Sequence, residues 1–366
     1  MKPTTLNTPE RMLFALLRAS LLERNAETDF FQHAAQEDWR QCYRLAAAQG
    51  VMALAWDGVL KLPATLQPPR PVKLSWAAGV EAYERKYLRY CSTVTEISEF
   101  YAHHNIATLQ LKGVGFSSLY PVPSHREGGD IDIFTYSACR EKLSDAEANR
   151  LADTLMQQQG IEVDTEHSPK HSMFYYKGIP VENHKTFLNV ETYALAAVVE
   201  RLLKEHMSPS LTPLAAGQVH TPSPMFNTLF IAFHAAQHYG SGLALHHLCD
   251  WAMILRRYGL QLPEEIKGTS FAEGIGALTR LCNRYLGLSV ASEGQEDLAE
   301  EMLQEMLHPR YPAALPDRGK WDILLYKAKR LIYNHRLKSR ILPVSFARHI
   351  GRSVVSHLRH PETIFH

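Results

Sequence analysis

The chain has 366 residues, 45% of them hydrophobic and 21% charged, which excludes wholesale disorder and leaves room for two or three domains with a sizeable core. Lys and Arg number 39 against 38 Asp and Glu, so the net charge of +1 excludes a strongly basic field over the whole molecule, of the kind that holds nucleic acid non-specifically. The five cysteines, at 42, 91, 139, 249 and 282, form no C-x-x-C pair, and no stretch reaches the roughly 18 apolar residues of a membrane span. A thiolate metal site and a disulfide framework are therefore not expected, and a cytoplasmic location is. The first 25 residues are broken by Arg11, Arg18 and Glu23 and do not read as a signal peptide.

The N-terminal third reads as helical. Thr8-Pro9-Glu10 supplies a cap, a first-turn proline and a first-turn acid ahead of Met12, Leu13, Leu16 and Leu17 at helix spacing. Further helices are predicted over 37–48 and 51–60. Four prolines in 62–72 predict a linker, and a long proline-free helix follows over 74–103. At Ile106 the pattern changes. Strands are predicted over 106–111 and 130–134, with a short helix over 114–119 between them. Ser144 to Glu147 is a capping box for a helix that Gly160 stops. Strands over 161–164, 172–176 and 180–187 follow, the last two joined at Lys177-Gly178 as a hairpin. From about 191 the pattern is helical to the end, with Ser223-Pro224 opening one helix and 243–258 forming the next. The expected fold class is α+β: a mixed-sheet core at 106–190 between a helical segment at 1–105, a helical domain at 191–310 and a basic helical tail at 311–366.

The chemistry concentrates in Leu111-Lys112-Gly113 and in Arg126-Glu127-Gly128-Gly129-Asp130-Ile131-Asp132. Side chains alternate along a strand, so Asp130 and Asp132 point one way while Ile131 and Ile133 point into the core. Two carboxylates on one face require a cation, a shared proton or open water. An oxygen-only donor set suits Mg²⁺, or Mn²⁺. A glycine turn lets a phosphate approach the backbone, with the following helix N-terminus, Lys112, Ser117, Ser118 and Arg126 as neighbouring donors. A phosphate cradle followed by paired acids is the requirement of metal-assisted nucleotidyl transfer.

Leu111-Lys112-Gly113, Tyr120-Pro121, Arg126 and Gly129-Asp130-Ile131-Asp132 together resemble the polymerase-β nucleotidyltransferase superfamily, in its poorly characterised bacterial branch. The resemblance covers about 106–187 and reaches more loosely to Asp250 in the helices behind. It implies that Asp130 and Asp132 bind the metal and that a third acid on a later strand completes a two-metal site. Val181-Glu182-Asn183-His184 matches that acid-x-His pattern, which makes Glu182 the third acid; Asp164 and Glu166 are its competitors one strand earlier. Val114 stands where the superfamily usually has serine, so Lys112 or Ser117 would take over that contact to the triphosphate.

His234 and His238, and His246 and Asp250, are i, i+4 pairs on successive helices. Zinc is one reading. Polar helix packing, or an acceptor pocket formed by His184, His234, His238 and Asp250, is preferred. The tail 318–360 carries eleven Lys or Arg and one acid, Asp322, and could meet RNA, an anionic surface or its own protein. The resulting expectation is transfer of NMP from an NTP such as ATP to a hydroxyl of an unidentified acceptor. Asp130, Asp132 and Glu182 would be catalytic and metal-binding, and Lys112, Gly113, Ser117 and Arg126 would hold the phosphates. The alternatives are a toxin-like enzyme acting on RNA or protein, and a non-catalytic nucleotide-binding protein.

Overall fold

A computed structural model describes residues 4–345, apart from 140, 142, 167, 313 and 316–318. The chain opens with α1 (Thr8–Leu21), α2 (Gln36–Ala48), α3 (Met52–Leu60) and the long α4 (Arg70–Ala102). The first cap falls one residue earlier than expected. Asn7 accepts from Glu10 N–H while the Glu10 carboxylate accepts from Asn7 N–H. The proline-rich linker is also shorter than expected, because Pro71 lies in the first turn of α4, where its missing N–H costs nothing.

The sheet segment follows as β1 (Ile106–Gln110), α5 (Val114–Ser117), β2 (Ile131–Ser137), α6 (Asp145–Gln158), β3 (Val163–Asp164), β4 (His171–Tyr176) and β5 (Ile179–His184). The five strands form one mixed sheet in the order β1-β2-β5-β4-β3. β2 runs antiparallel to β1 and parallel to β5, and the β4–β5 hairpin is antiparallel. The fold is α+β, as the alternation of strand and helix patterns predicted.

Next come α7 (Ala196–Glu205), β6 (Ser210–Pro213), β7 (Gln218–Thr221), α8 (Pro224–His238), α9 (Leu245–Tyr258), α10 (Ser270–Leu286), α11 (Glu296–Leu307) and α12 (Lys320–Ser339). The β6–β7 hairpin interrupts a stretch expected to be helical. Pro209, Pro213, Pro222 and Gly217 within it are helix-breaking signals that the reading of 191 onward passed over. Val219 of β7 is buried in the sheet core, and Thr95 of α4 donates to the Ala216 carbonyl at 2.7 Å.

One apolar core joins the helices that precede the sheet in the chain with those that follow it, from Met12 to Leu342. A second lies between the sheet, α4 and α6, around Ile97, Ile131, Ile133, Ala152 and Val181. Among the described residues no helix is long and apolar enough to cross a membrane. The tail's described part is α12 and the residues to 345; the basic residues Arg318, Arg348, Arg352 and Arg359 lie outside the described residues.

Candidate active site

The site begins with the alternation of β2. Ile131 and Ile133 point into the sheet core, and Asp132, between them, points to the opposite face. Parallel pairing of β2 with β5 sets Asp132 directly against Glu182 and Phe134 against His184. The β4–β5 register then sets His171 against His184. Paired residues on neighbouring strands share a face, so Asp132, Glu182, His184 and His171 form one polar patch. Asp164 lies in the same row, reached through Met173, but three strand spacings of ~4.8 Å put it about 14 Å from Asp132.

The charges are tightly interlocked. Lys112 Nζ is 3.2 Å from Asp132 Oδ2 and 3.7 Å from Asp130 Oδ2. His184 Nε2 lies 3.2 Å from Asp132 Oδ1 and 3.5 Å from Glu182 Oε2, and His171 Nε2 is 3.5 Å from the same Glu182 oxygen. Asp132 is fully buried, while Glu182 is 22% and Asp130 33% exposed. Asp132 Oδ2 is buried, and its contact with the Lys112 ammonium is an ion pair without a hydrogen bond.

Burial raises the Asp130 pKa to about 6, and the neighbouring Asp132 charge adds to the rise. Burial acts in the same direction on Asp132, but Lys112 and His184 more than reverse it and hold this carboxyl well below the usual range. For Glu182, burial is outweighed by the His184 contact and the pKa falls. Burial opposes the charge on Lys112, yet Asp132, Asp130 and Glu182 together raise its pKa. Lys170 also feels these carboxylates, and there burial prevails and lowers the pKa. The site thus holds two carboxylates, Asp132 and Glu182, as anions and one, Asp130, poised to titrate.

Gly113 precedes α5 at φ 66°, a backbone conformation that glycine adopts freely. The helix after it is a single turn, shorter than expected. Ser117 is buried and donates its hydroxyl to the Val114 carbonyl at 2.6 Å, while Ser118 donates to Gly115 at 2.8 Å. The Ser117 hydroxyl is therefore occupied inside the turn, and Lys112 is the cation at its entrance. Arg126 is also committed. Its guanidinium makes a two-pronged pair with Asp250 at 2.8 and 2.7 Å and reaches the Gly113 carbonyl at 3.3 Å. Tyr120 donates to the same Asp250 at 2.6 Å. Arg126, Tyr120 and Asp250 thus brace the Gly113 turn against α9, and Asp250 is not open to an acceptor.

A narrow cleft of about 20 Å³ lies beside Gly113 and Asp130. Its far wall is α4, with Tyr83, Tyr87, Tyr90 and Lys86 facing Arg126 and Val114. The tyrosines recur at i, i+4 and i+7, a helix-face signal present in the sequence but not tied to the site. Lys170 and His171 were also missed, since nothing local announces which strand lies beside β5. His184 is buried between Asp132 and Glu182 and does not line an open pocket. His234 and His238 face His247 of α9.

A model of a protein family described as uncharacterised nucleotidyltransferase matches residues 35–287, which is 253 of the 366 residues. The chain belongs to this nucleotidyltransferase family. Comparison with curated proteins found no significant match, and neither did comparison with solved structures. The family match takes in the whole sheet and α8 and α9, so the elements that build the carboxylate patch and brace its glycine turn all fall inside the nucleotidyltransferase region.

Proposed function

We propose that this chain transfers NMP from an NTP to a hydroxyl of its acceptor, using the carboxylate patch in the manner of the polymerase-β superfamily. The observation that carries this reading is the convergence of Asp130, Asp132 and Glu182 beside the Gly113 turn, with a buried Asp132 oxygen lacking a hydrogen bond. An all-oxygen donor set carrying three charges fits Mg²⁺ or Mn²⁺. Bound there as a pair, such ions would supply neutralisation of the triphosphate and activation of the attacking hydroxyl.

The chain's own residues do the rest. Asp130 holds its carboxylate toward the cleft, Asp132 lies buried behind it, and His184 keeps Asp132 ionised and oriented. Lys112 bridges the two aspartates before substrate arrives and turns to the triphosphate when it binds. Glu182, ionised at neutral pH, takes the proton of the acceptor hydroxyl as its oxygen bonds to the α-phosphorus and the bond to pyrophosphate breaks. The tyrosine wall of α4 offers flat faces on which a base stacks, a contact every base can make.

The test follows pyrophosphate release from each NTP with Mg²⁺ present and calorimetric NTP binding with and without it. Binding should depend on metal and vanish in Asp130→Ala. Equal NTP affinity with and without metal would leave only the non-catalytic alternative. An RNA acceptor is favoured by one feature, the basic α12, which turns Trp321, Leu325 and Ile332 outward beside Lys329 and Arg330. Changing Lys327, Lys329 and Arg330 to Gln should weaken RNA binding, which itself should fall steeply with salt. Binding to neither RNA nor anionic vesicles at low salt would reduce the helix to a solvated face.

A further inference from the structure

Three imidazoles meet where α8 packs against α9. His234 and His238 stand one turn apart on α8 and share a face, and His247 reaches them from the first turn of α9. Ring centroids are 4.6 Å apart for His234–His238 and His238–His247, and 5.3 Å for His234–His247. One ligand nitrogen from each lies within 4.8 Å of the other two. His247 is 3% exposed; its Nδ1 accepts the Ala244 N–H at 3.1 Å, and its Nε2 is buried with no hydrogen-bond partner. His246, next along the helix, packs its ring on His247 with centroids 3.9 Å apart but sets its Nδ1 3.3 Å from the Gln49 carbonyl.

A buried ring nitrogen without a partner is costly, and packing alone does not require a histidine there. Burial also keeps the three rings neutral. It pushes His238 down to about 4 and His234 and His247 well below the ordinary value, with the Lys112 charge contributing to each. Neutral imidazoles are competent ligands without first losing a proton. The donor set is also unlike the carboxylate patch: nitrogen only, which suits a borderline ion and not Mg²⁺.

We propose that His234, His238 and His247 form a second metal site, for a zinc-type divalent ion held by three nitrogens with the fourth position open to water or a substrate oxygen. Tetrahedral zinc with bonds of ~2.0–2.1 Å needs nitrogens about 3.4 Å apart, so the rings draw inward on loading. Ligation through Nε2 places the remaining His247 proton on Nδ1. The Ala244 N–H contact is then given up in exchange for the metal bond.

The full chain is stripped with chelator, reloaded with Zn²⁺, desalted and assayed for metal. About one tightly held ion per chain is expected, retained in Asp130→Asn/Asp132→Asn and in His246→Ala, and lost in His234→Ala/His238→Ala. Co²⁺ in place of Zn²⁺ should give the visible absorption of a four-coordinate site, absent from the double histidine variant. His238→Gln, a milder change at a partly exposed position, should also lose the ion, and circular dichroism checks that each variant is folded. The proposal is overturned if the wild-type chain holds no zinc, if the folded histidine variants keep it, or if it leaves with the two aspartates.

Discussion

The two faces of strands β2 and β5 carry opposite kinds of buried polarity. On the α6 side, Thr135 donates to Asn183 Oδ1 at 2.8 Å, and the Asn149 amide reaches Thr135, Asn183 and the His184 carbonyl at 2.8–3.0 Å. Asp153 accepts there from Ser172 and Asn183 at 2.7 and 2.9 Å. On the other side stand Asp132, Glu182, Lys112 and His184, one strand residue away, with an Asp132 oxygen left without a hydrogen bond. The first network is amides and hydroxyls around a single carboxylate, with its partners matched one to another. The second is ionic and incompletely matched. A satisfied network specifies packing; an unsatisfied one stores charge for a ligand.

Breaking the charged face should have the largest effect. Asp132→Asn should lower turnover on the order of a thousandfold, since several kcal/mol of charge stabilisation are lost, and should also cost the metal-free protein about 3 kcal/mol, because Lys112 and His184 lose their buried anion. Steady-state kinetics and urea melts separate the two. Lys112→Met should come next. Removing the ammonium leaves Asp132 facing Asp130 without its main cation, and the metal-free protein should lose about 3 kcal/mol. Mg²⁺ should then raise the melting temperature of this variant more than that of wild type; an equal shift would mean that ammonium and metal do not share the site.

The satisfied face should behave in reverse. Asn149→Ala leaves Thr135, Asn183 and the His184 carbonyl short of a donor and should cost about 2 kcal/mol in denaturant melts, with turnover at permissive temperature nearly unchanged. A further effect is that of pH on Asp130. Its folded pKa is raised from 3.8 to about 6, so the folded state binds the proton more tightly than the unfolded chain. The stability this group contributes in the metal-free protein is therefore complete below 3.8 and is lost as pH rises through about 6. At limiting Mg²⁺, metal binding and with it turnover should weaken as pH falls through that pKa, because the proton and the metal compete for the same carboxylate. Asp130→Asn should flatten the stability slope, which a pH series of melts would detect.

Much of this protein is legible from consecutive residues. The period-two alternation that sends Asp130 and Asp132 to one side, the Ser144 capping box at α6, the stop at Gly160 and the glycine turn at Gly113 are local features, and each was read from a window of a few residues. One error was local as well. Asn7 rather than Thr8 caps α1, because Glu10 stands three residues after Asn7 and closes a reciprocal capping box that Thr8, followed by Arg11, cannot form. His246 and His247 differ by about 100° around α9, and which one faces α8 depends on how the two helices pack.

Long-range packing selected which distant residues became neighbours. Glu182 comes beside Asp132 through a parallel pairing of segments fifty residues apart, and Lys170 and His171 join them through the next hairpin. Arg126, expected among the phosphate ligands, instead found a buried carboxylate 124 residues away in Asp250. Local pattern was enough for the strands of the main sheet and for the acidic motif, because these follow from backbone geometry repeated every two residues, but not for the β6–β7 hairpin. It did not determine the partners of those acids, because strand order and helix packing are chosen by the burial of apolar surface across the whole chain.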